Sequence, residues 1–209
     1  MKWEPLKILM TSMNLKSKIA VVTGASRGLG RATAQALVQE GAEVYGLARS
    51  TSALEDLASQ LGSSFHPVVM DITDAEAVKK WVRRTFTRGH TPNILINNAG
   101  SGVFGKIDEL PLEKWKQMID TNLHGMYYLT YGLVPLMKKA DGGHIINIGS
   151  ILGKTTNGGK AAYSATKYAM QGMSEALFKE LRGVNIKVSL VNPGAISTET
   201  LYRIWNQTE

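Results

Sequence analysis

Six short apolar runs punctuate this chain, and longer stretches with helical spacing separate them. The runs are IAVVTG (19–24), EVYGLA (43–48), SFHPVVM (64–70), NILINNA (93–99), HIINIG (144–149) and IKVSLVNPG (186–194). Most are apolar at consecutive rather than alternate positions, as strands buried on both faces are. Helical patterns begin near positions 28, 52, 74, 112 and 160. Ser52 with Glu55, and Thr73 with Glu76, have the spacing of a capping box at a helix start. Gly41 and Gly62 follow the ends of two helices, where a left-handed residue closes the last turn. Strand–helix alternation through the whole chain predicts an α/β fold, a doubly wound parallel sheet of about six strands with helices on both faces.

The segment from 112 to 139 reads as one long helix that bends, or packs tightly on a neighbour, at Gly125 and Gly132. Its Met and Tyr content suits core and subunit contacts. Residues 1–17 read as a loose arm, with Met13 an alternative start that would make the first twelve residues dispensable. With no repeat or linker, residues 18–209 read as one domain.

Composition narrows the function classes. At 44% hydrophobic and 20% charged residues, the chain has the profile of a globular protein. No apolar run is long enough to span a membrane. The absence of cysteine removes disulfides, thiolate metal sites and cysteine nucleophiles, and suits a reducing, cytoplasmic setting. The net charge of +7 is spread along the chain. Its densest cluster, Lys79, Lys80, Arg83, Arg84 and Arg88, falls at helical spacing and reads as a solvated face, not a nucleic-acid site. His66, His90, His124 and His144 show no ligand spacing, so no metal is expected. Asp74, Glu76, Glu113 and Asp141 read as caps or solvated charges.

IAVVTGASRGLG (19–30) is a buried strand running into a glycine-rich turn and a helix start. The spacing of Gly24, Gly28 and Gly30 is G-x-x-x-G-x-G, unlike the commoner G-x-G-x-x-G. Either spacing turns the backbone sharply and aims free N–H groups and the positive helix end at a pyrophosphate. A purely structural turn is the alternative. The candidate cofactor residues here are Gly24, Ser26, Arg27, Gly28, Leu29 and Gly30. At the end of the second strand, Ala48 holds the place of the acidic residue that would read an NAD ribose, and Arg49 follows it. Arg27 and Arg49, with no opposing carboxylate, favour the 2′-phosphate of NADP over NAD. Two solvated arginines are the other reading.

AAYSATKYAMQGM (161–173) sets a phenol, Tyr163, four residues before an ammonium, Lys167. Residues four apart share a helix face, so both can point into one cleft. A free phenol has a pKa of about 10, and a fixed cation beside it would lower that value. The pair alone is equally an ordinary surface pair.

The pieces TGASRGLG, MDIT, NNAG, TNLHG, NIGSILG, YSATK and NPGAIST occur here in that order. With them, residues 15 to 200 resemble the short-chain dehydrogenase/reductase family, in its single-domain, NADP-preferring branch. The resemblance implies a Rossmann-like fold and hydride transfer between NADP(H) and a small carbonyl or alcohol substrate, in the manner of a carbonyl or 3-oxoacyl reductase. It implies a catalytic set of Asn122, Ser150, Tyr163 and Lys167. Ser150 would orient the carbonyl and Tyr163 would exchange the proton. Lys167 would hold the ribose and polarise Tyr163, while Asn122 would anchor a water. Asp71 resembles the aspartate that contacts adenine, and Asn98 the residue near the ribose. Pro193, Gly194, Ile196 and Thr198 resemble the loop that grips the nicotinamide end. A homo-oligomer through the helices at 112–139 and 160–182 is implied too, with neither nucleic acid nor membrane as partner.

After NPGAISTET only LYRIWNQTE follows, where family members continue with a helical substrate segment and a seventh strand. The sheet is therefore expected to lack its usual seventh strand and to leave an edge at the sixth. The substrate segment would be incomplete and activity weaker than in a longer relative. A competing reading is an NADP-binding regulatory or scaffold protein with little catalysis. A third, an extended epimerase or dehydratase, needs a second substrate domain that the length does not allow.

Overall fold

The computed structural model describes residues 14–87, 89–140 and 142–196. Its strands are β1 (Ile19–Thr23), β2 (Glu43–Ala48), β3 (Phe65–Val69), β4 (Ile94–Asn97), β5 (Gly143–Ile148) and β6 (Ile186–Val191). All pair in parallel, in the order β3-β2-β1-β4-β5-β6. The helices are α1 (Gly28–Gln39), α2 (Thr51–Leu61), α3 (Ala75–Thr85), α4 (Leu112–Ile119), α5 (Gly125–Lys139) and α6 (Ala161–Leu181).

Successive side chains of a strand point to opposite faces, and β1 shows it. Val21 joins an apolar layer with Val78 and Val82 of α3, Leu129 and Leu133 of α5, and Leu181 of α6. Its neighbours Ala20 and Val22 join the opposite layer, with Ala34 of α1 and Leu54 and Leu57 of α2. Both faces of β1 are therefore dry, which explains its unbroken apolar run. β3 at the edge is buried only at Phe65 and alternates thereafter. The chain winds outward from β1 in one direction and from β4 in the other. That switch opens a crevice at the carboxyl ends of these two strands.

The expected helix starts agree to within a residue, but their caps differ. Ser50, not Ser52, stands before α2 and makes no side-chain cap bond. At α3 the cap is Asp74, whose Oδ1 accepts from Ala77 N at 2.9 Å. Asp caps at least as well as Thr and lies one residue nearer. Thr73 turns back instead, donating from N and Oγ1 to Asp71 Oδ1. Gly41 (φ +91°) and Gly62 (φ +68°) close α1 and α2 in the left-handed region as expected.

The 112–139 segment is not one regular helix. A π-helical turn, Asp120–His124, separates α4 from α5. Just after it, a Cβ on Gly125 would run into the Ile72 side chain, so the glycine lets α5 pack closely on the turn that follows β3. Of the expected loose arm, residues 14–17 are described and are held. Leu15 N donates to Glu40 O at 2.9 Å, and the Leu15 side chain packs on the α1/α2 layer. Met13 lies outside the described residues, as do Arg88 and Asp141. Among the described residues β6 pairs with β5 alone. No described helix is long and apolar enough to cross a membrane.

Candidate active site

The carboxyl ends of β1 and β4 are stitched together by two polar side chains. Thr23 is buried, and its Oγ1 accepts from Asn98 N (2.9 Å) and Ala99 N (2.8 Å) while donating to Ile96 O (3.3 Å). Asn98 Nδ2 returns the contact, donating to Thr23 O at 2.8 Å and Gly24 O at 3.4 Å. The Asn98 amide, expected near a ribose, thus holds the glycine turn in place. Thr23→Val keeps the shape and removes the acceptor for two N–H groups. It is expected to destabilise the fold by roughly 2–3 kcal/mol, read from the urea midpoint at unchanged m-value.

The turn itself suits an anion. Gly24 (φ +68°) and Gly28 (φ +53°) take left-handed conformations that a side chain would strain. α1 begins without a side-chain cap and with no acidic residue in its first turn. Its leading N–H groups keep their capacity for a pyrophosphate. Ser26 and Leu29 are partly buried in this turn, and Arg27 is exposed beside it. These residues fit a dinucleotide. Arg49 is 74% exposed, but the expectation that no carboxylate opposes it is corrected: Asp71 Oδ2 lies 3.8 Å from its Nη1. Asp71 is held by Thr73 through its other oxygen, so the wide, exposed pair leaves Arg49 free to swing.

Three segments, the chain after β5, α6 and the π turn, bring the catalytic candidates together. Ser150 follows β5; its N donates to Asn192 Oδ1 (3.1 Å), and its Oγ accepts from Leu152 N (3.1 Å) and bonds the Tyr163 hydroxyl. Tyr163 and Lys167 sit one turn apart on α6, with Lys167 Nζ 5.7 Å from the centre of the Tyr163 ring. Lys167 is 5% exposed and donates to Ile148 O at 2.9 Å. Burial brings its pKa down to about 8. Asn122 is fully buried within the π turn. Its Nδ2 donates to Ser101 O and Thr166 Oγ1, both at 2.9 Å, and its Oδ1 accepts from Ser101 N at 2.8 Å.

The expected sign of the Tyr163 shift is corrected. Burial raises the pKa of this phenol, and the hydrogen bond with Ser150 only opposes the rise. Taking a phenolate out of water costs more than the Ser150 hydrogen bond returns.

Pro193, Gly194 and Ile196 follow β6, where Pro193 O accepts from Ile151 N at 2.9 Å and so ties their loop to Ser150. Thr198 lies outside the described residues. The histidines stand elsewhere. His66 and His90 flank Glu43, His124 pairs with Asp120, and His144 meets Ser189. No group of three metal-ligand side chains converges among the described residues.

Three supporting residues escaped the sequence reading although each lies within a quoted motif. Thr23 precedes Gly24, and Asn192 precedes Pro193. Thr166 accepts from Asn122 and donates to Tyr163 O at 2.8 Å, linking the π turn to α6. A short polar residue beside a candidate catalytic or cofactor-binding one was the available signal.

The sequence model of the family described as short chain dehydrogenase matches residues 18–209. A 3-oxoacyl-[acyl-carrier-protein] reductase of Escherichia coli K12 is 36% identical over 187 residues, covering 90% of this chain and 77% of the relative. Among solved structures, a short-chain dehydrogenase from Streptomyces avermitilis superposes with a TM-score of 0.83 at 36% identity, covering 88% of this chain and 68% of that one. A 3-ketoacyl-(acyl-carrier-protein) reductase from Brucella melitensis complexed with NADH gives a TM-score of 0.85 at 29% identity, with 90% and 80% covered. A serine dehydrogenase complexed with NADP+ gives 0.85 at 30% identity, with 91% and 79% covered.

Proposed function

Because this chain belongs to the short-chain dehydrogenase/reductase family, we propose that it is an NADP(H)-dependent oxidoreductase interconverting a carbonyl and an alcohol, with Tyr163 as general acid and base. The observation that carries this reading is the meeting of Ser150, Tyr163, Lys167 and Asn122 beside the β1/β4 crevice. The relatives' names point to 3-oxoacyl-type carbonyls as the substrate class.

NADPH, when bound, supplies the hydride. Around it the side chains orient, donate and refill. Ser150 donates its hydroxyl to the carbonyl oxygen and fixes the reacting face. Tyr163 gives its proton to that oxygen. Its raised pKa keeps the phenol protonated near neutrality, the form that reduction uses. Lys167 has three donors and spends one on Ile148 O, leaving two for ribose hydroxyls and the Tyr163 oxygen. The Asn122 side chain is committed to Ser101 and Thr166, so its main-chain carbonyl, in the π turn, is what remains to hold a relay water.

NADP preference follows from Arg27 and Arg49. Arg49→Asp is expected to weaken NADPH about 10–100-fold and to tighten NADH, read by fluorescence titration of both cofactors. NADH binding as tight as NADPH in the unaltered protein would remove this inference. The exposed pair Tyr127 and Tyr131 on α5, stacked at 6.1 Å, with Tyr168 and Phe178 on α6, supports assembly of like chains through these helices. NADPH oxidation over a panel of ketones and aldehydes tests the assignment; no turnover with any of them, at saturating cofactor, would favour a binding role instead.

A further inference from the structure

Two loops border the Ser150–Tyr163 pair: residues 100–110 after β4 and residues 154–160 before α6. A backbone hydrogen bond, Gly105 N to Gly159 O at 2.8 Å, ties them together. Beside that tie, Phe104 meets Tyr163 edge-on, with ring centres 5.7 Å apart and planes at 73°. The Lys160 ammonium lies 5.2 Å from the centre of the Phe104 ring. Ammonium, phenyl and catalytic phenol thus form a short row, and Nζ lies no farther from the Tyr163 ring than those two spacings together.

The charge at the end of this row is unanswered. Among the described residues Lys160 has no carboxylate within ion-pair distance. On the facing loop Glu109 is already held by Lys106 at 2.9 Å, and Asp108 is exposed without such a pair. Lys154, exposed on the second loop, adds charge of the same sign. An ammonium laid on an aromatic face is held in place by the ring and by its own apolar stem. It keeps its N–H donors for an anion, and such bonds are the stronger kind.

We propose that Lys160, held against Phe104, binds an anionic group, a carboxylate or a phosphate, carried by the carbonyl substrate a few bonds from the reacting carbon. The proposal rests on the carbonyl-reductase reading and, within it, favours a small anionic carbonyl compound over a 3-oxoacyl thioester, whose carrier phosphate lies many bonds from the reacting carbon. A substrate anchored at both ends, by Ser150 at the carbonyl and Lys160 at the charge, presents one face to the hydride. A neutral analogue of the same length lacks the second anchor.

The test compares matched probes: acetoacetate against methyl acetoacetate, and dihydroxyacetone phosphate against dihydroxyacetone. The ratio of kcat/KM for the anionic over the neutral member is expected to fall about 10–100-fold in Lys160→Met and further in Lys160→Glu, in whichever pair carries the natural group. An unchanged ratio in both variants overturns the proposal. A second readout is independent of turnover. In NADPH-saturated Tyr163→Phe protein, the preferred anion is expected to raise the melting temperature, and adding Lys160→Glu is expected to abolish that rise. If the rise is seen while the unaltered protein reduces no probe, the subsite stands and the reductase reading fails. If neither anion shifts the melting temperature, the subsite fails whatever the activity.

Discussion

Tyr163→Phe is expected to lower kcat for carbonyl reduction by about 10²–10⁴-fold, the usual worth of a positioned acid. The substitution removes one oxygen and keeps the ring, so the edge-on contact with Phe104 survives and the fold should too. NADPH binding should weaken far less than turnover, since the glycine turn and α1 are untouched. The pH profile carries a further signature. Burial raises the Tyr163 pKa and lowers that of Lys167 to about 8, so reduction, which needs the phenol and the ammonium together, should hold its rate through neutrality and decline above about pH 8 as Lys167 loses its charge. Alcohol oxidation, which needs the phenolate beside the same ammonium, should climb toward about pH 8 and level off above it. Steady-state rates in both directions from neutral to alkaline pH check this; near-normal turnover by the Phe variant would remove Tyr163 from the chemistry.

Lys167→Met is expected to separate activity from stability. Lys167 is 5% exposed, and its pKa falls from 10.5 to about 8 because burial penalises the ammonium. Between those values the unfolded chain binds more protons than the folded one, so stability rises with pH across that window. Below about pH 8 the buried charge costs on the order of 3 kcal/mol relative to an exposed lysine. Methionine keeps the length of the stem and discards the charge. At pH 7 the variant should be at least as stable as the parent, and its stability should no longer rise between pH 8 and 10.5. Its kcat should nevertheless fall by about 10²-fold or more, because the ribose and the phenol oxygen lose their cation. A residue that costs stability and is needed for turnover is one retained for function. Denaturant melts across this pH range, beside rate measurements, check both parts. A large loss of stability at pH 7 with the pH slope intact would show that Lys167 is held for packing instead.

Much of this was readable from the chain because the signals were local. Continuous apolar runs gave the strands, since both faces of β1 are dry and no polar position interrupts it. The left-handed turns at Gly41 and Gly62 were readable for the same reason. Close packing at Gly125 was readable from the glycine itself, but the π turn that seats Asn122 just before it was not, because a glycine does not fix how a helix departs from regularity. At α3 the sequence offered both Thr73, in a capping box, and Asp74, as a cap or solvated charge; Asp74 is the cap because Asp71 draws Thr73 away. The sign of the Tyr163 shift was hidden for a deeper reason. Spacing shows that a lysine is near a tyrosine, but only tertiary burial decides whether desolvation outweighs the charge. Lys160 and Phe104 carried no motif at all; a hydrogen bond between two glycines brings them together.

On the function proposed above, this chain delivers hydride to a carbonyl carbon and a proton from Tyr163 to its oxygen. Single-turnover reduction with NADPH deuterated at one face of nicotinamide C4 tests it most directly. With one of the two deuterated faces, we expect deuterium at the carbinol carbon of a single enantiomer, and with Tyr163→Phe a strongly slowed formation of that product. Bound NADPH that remains unoxidised with every carbonyl probe, or a product labelled equally in both enantiomers, would contradict it.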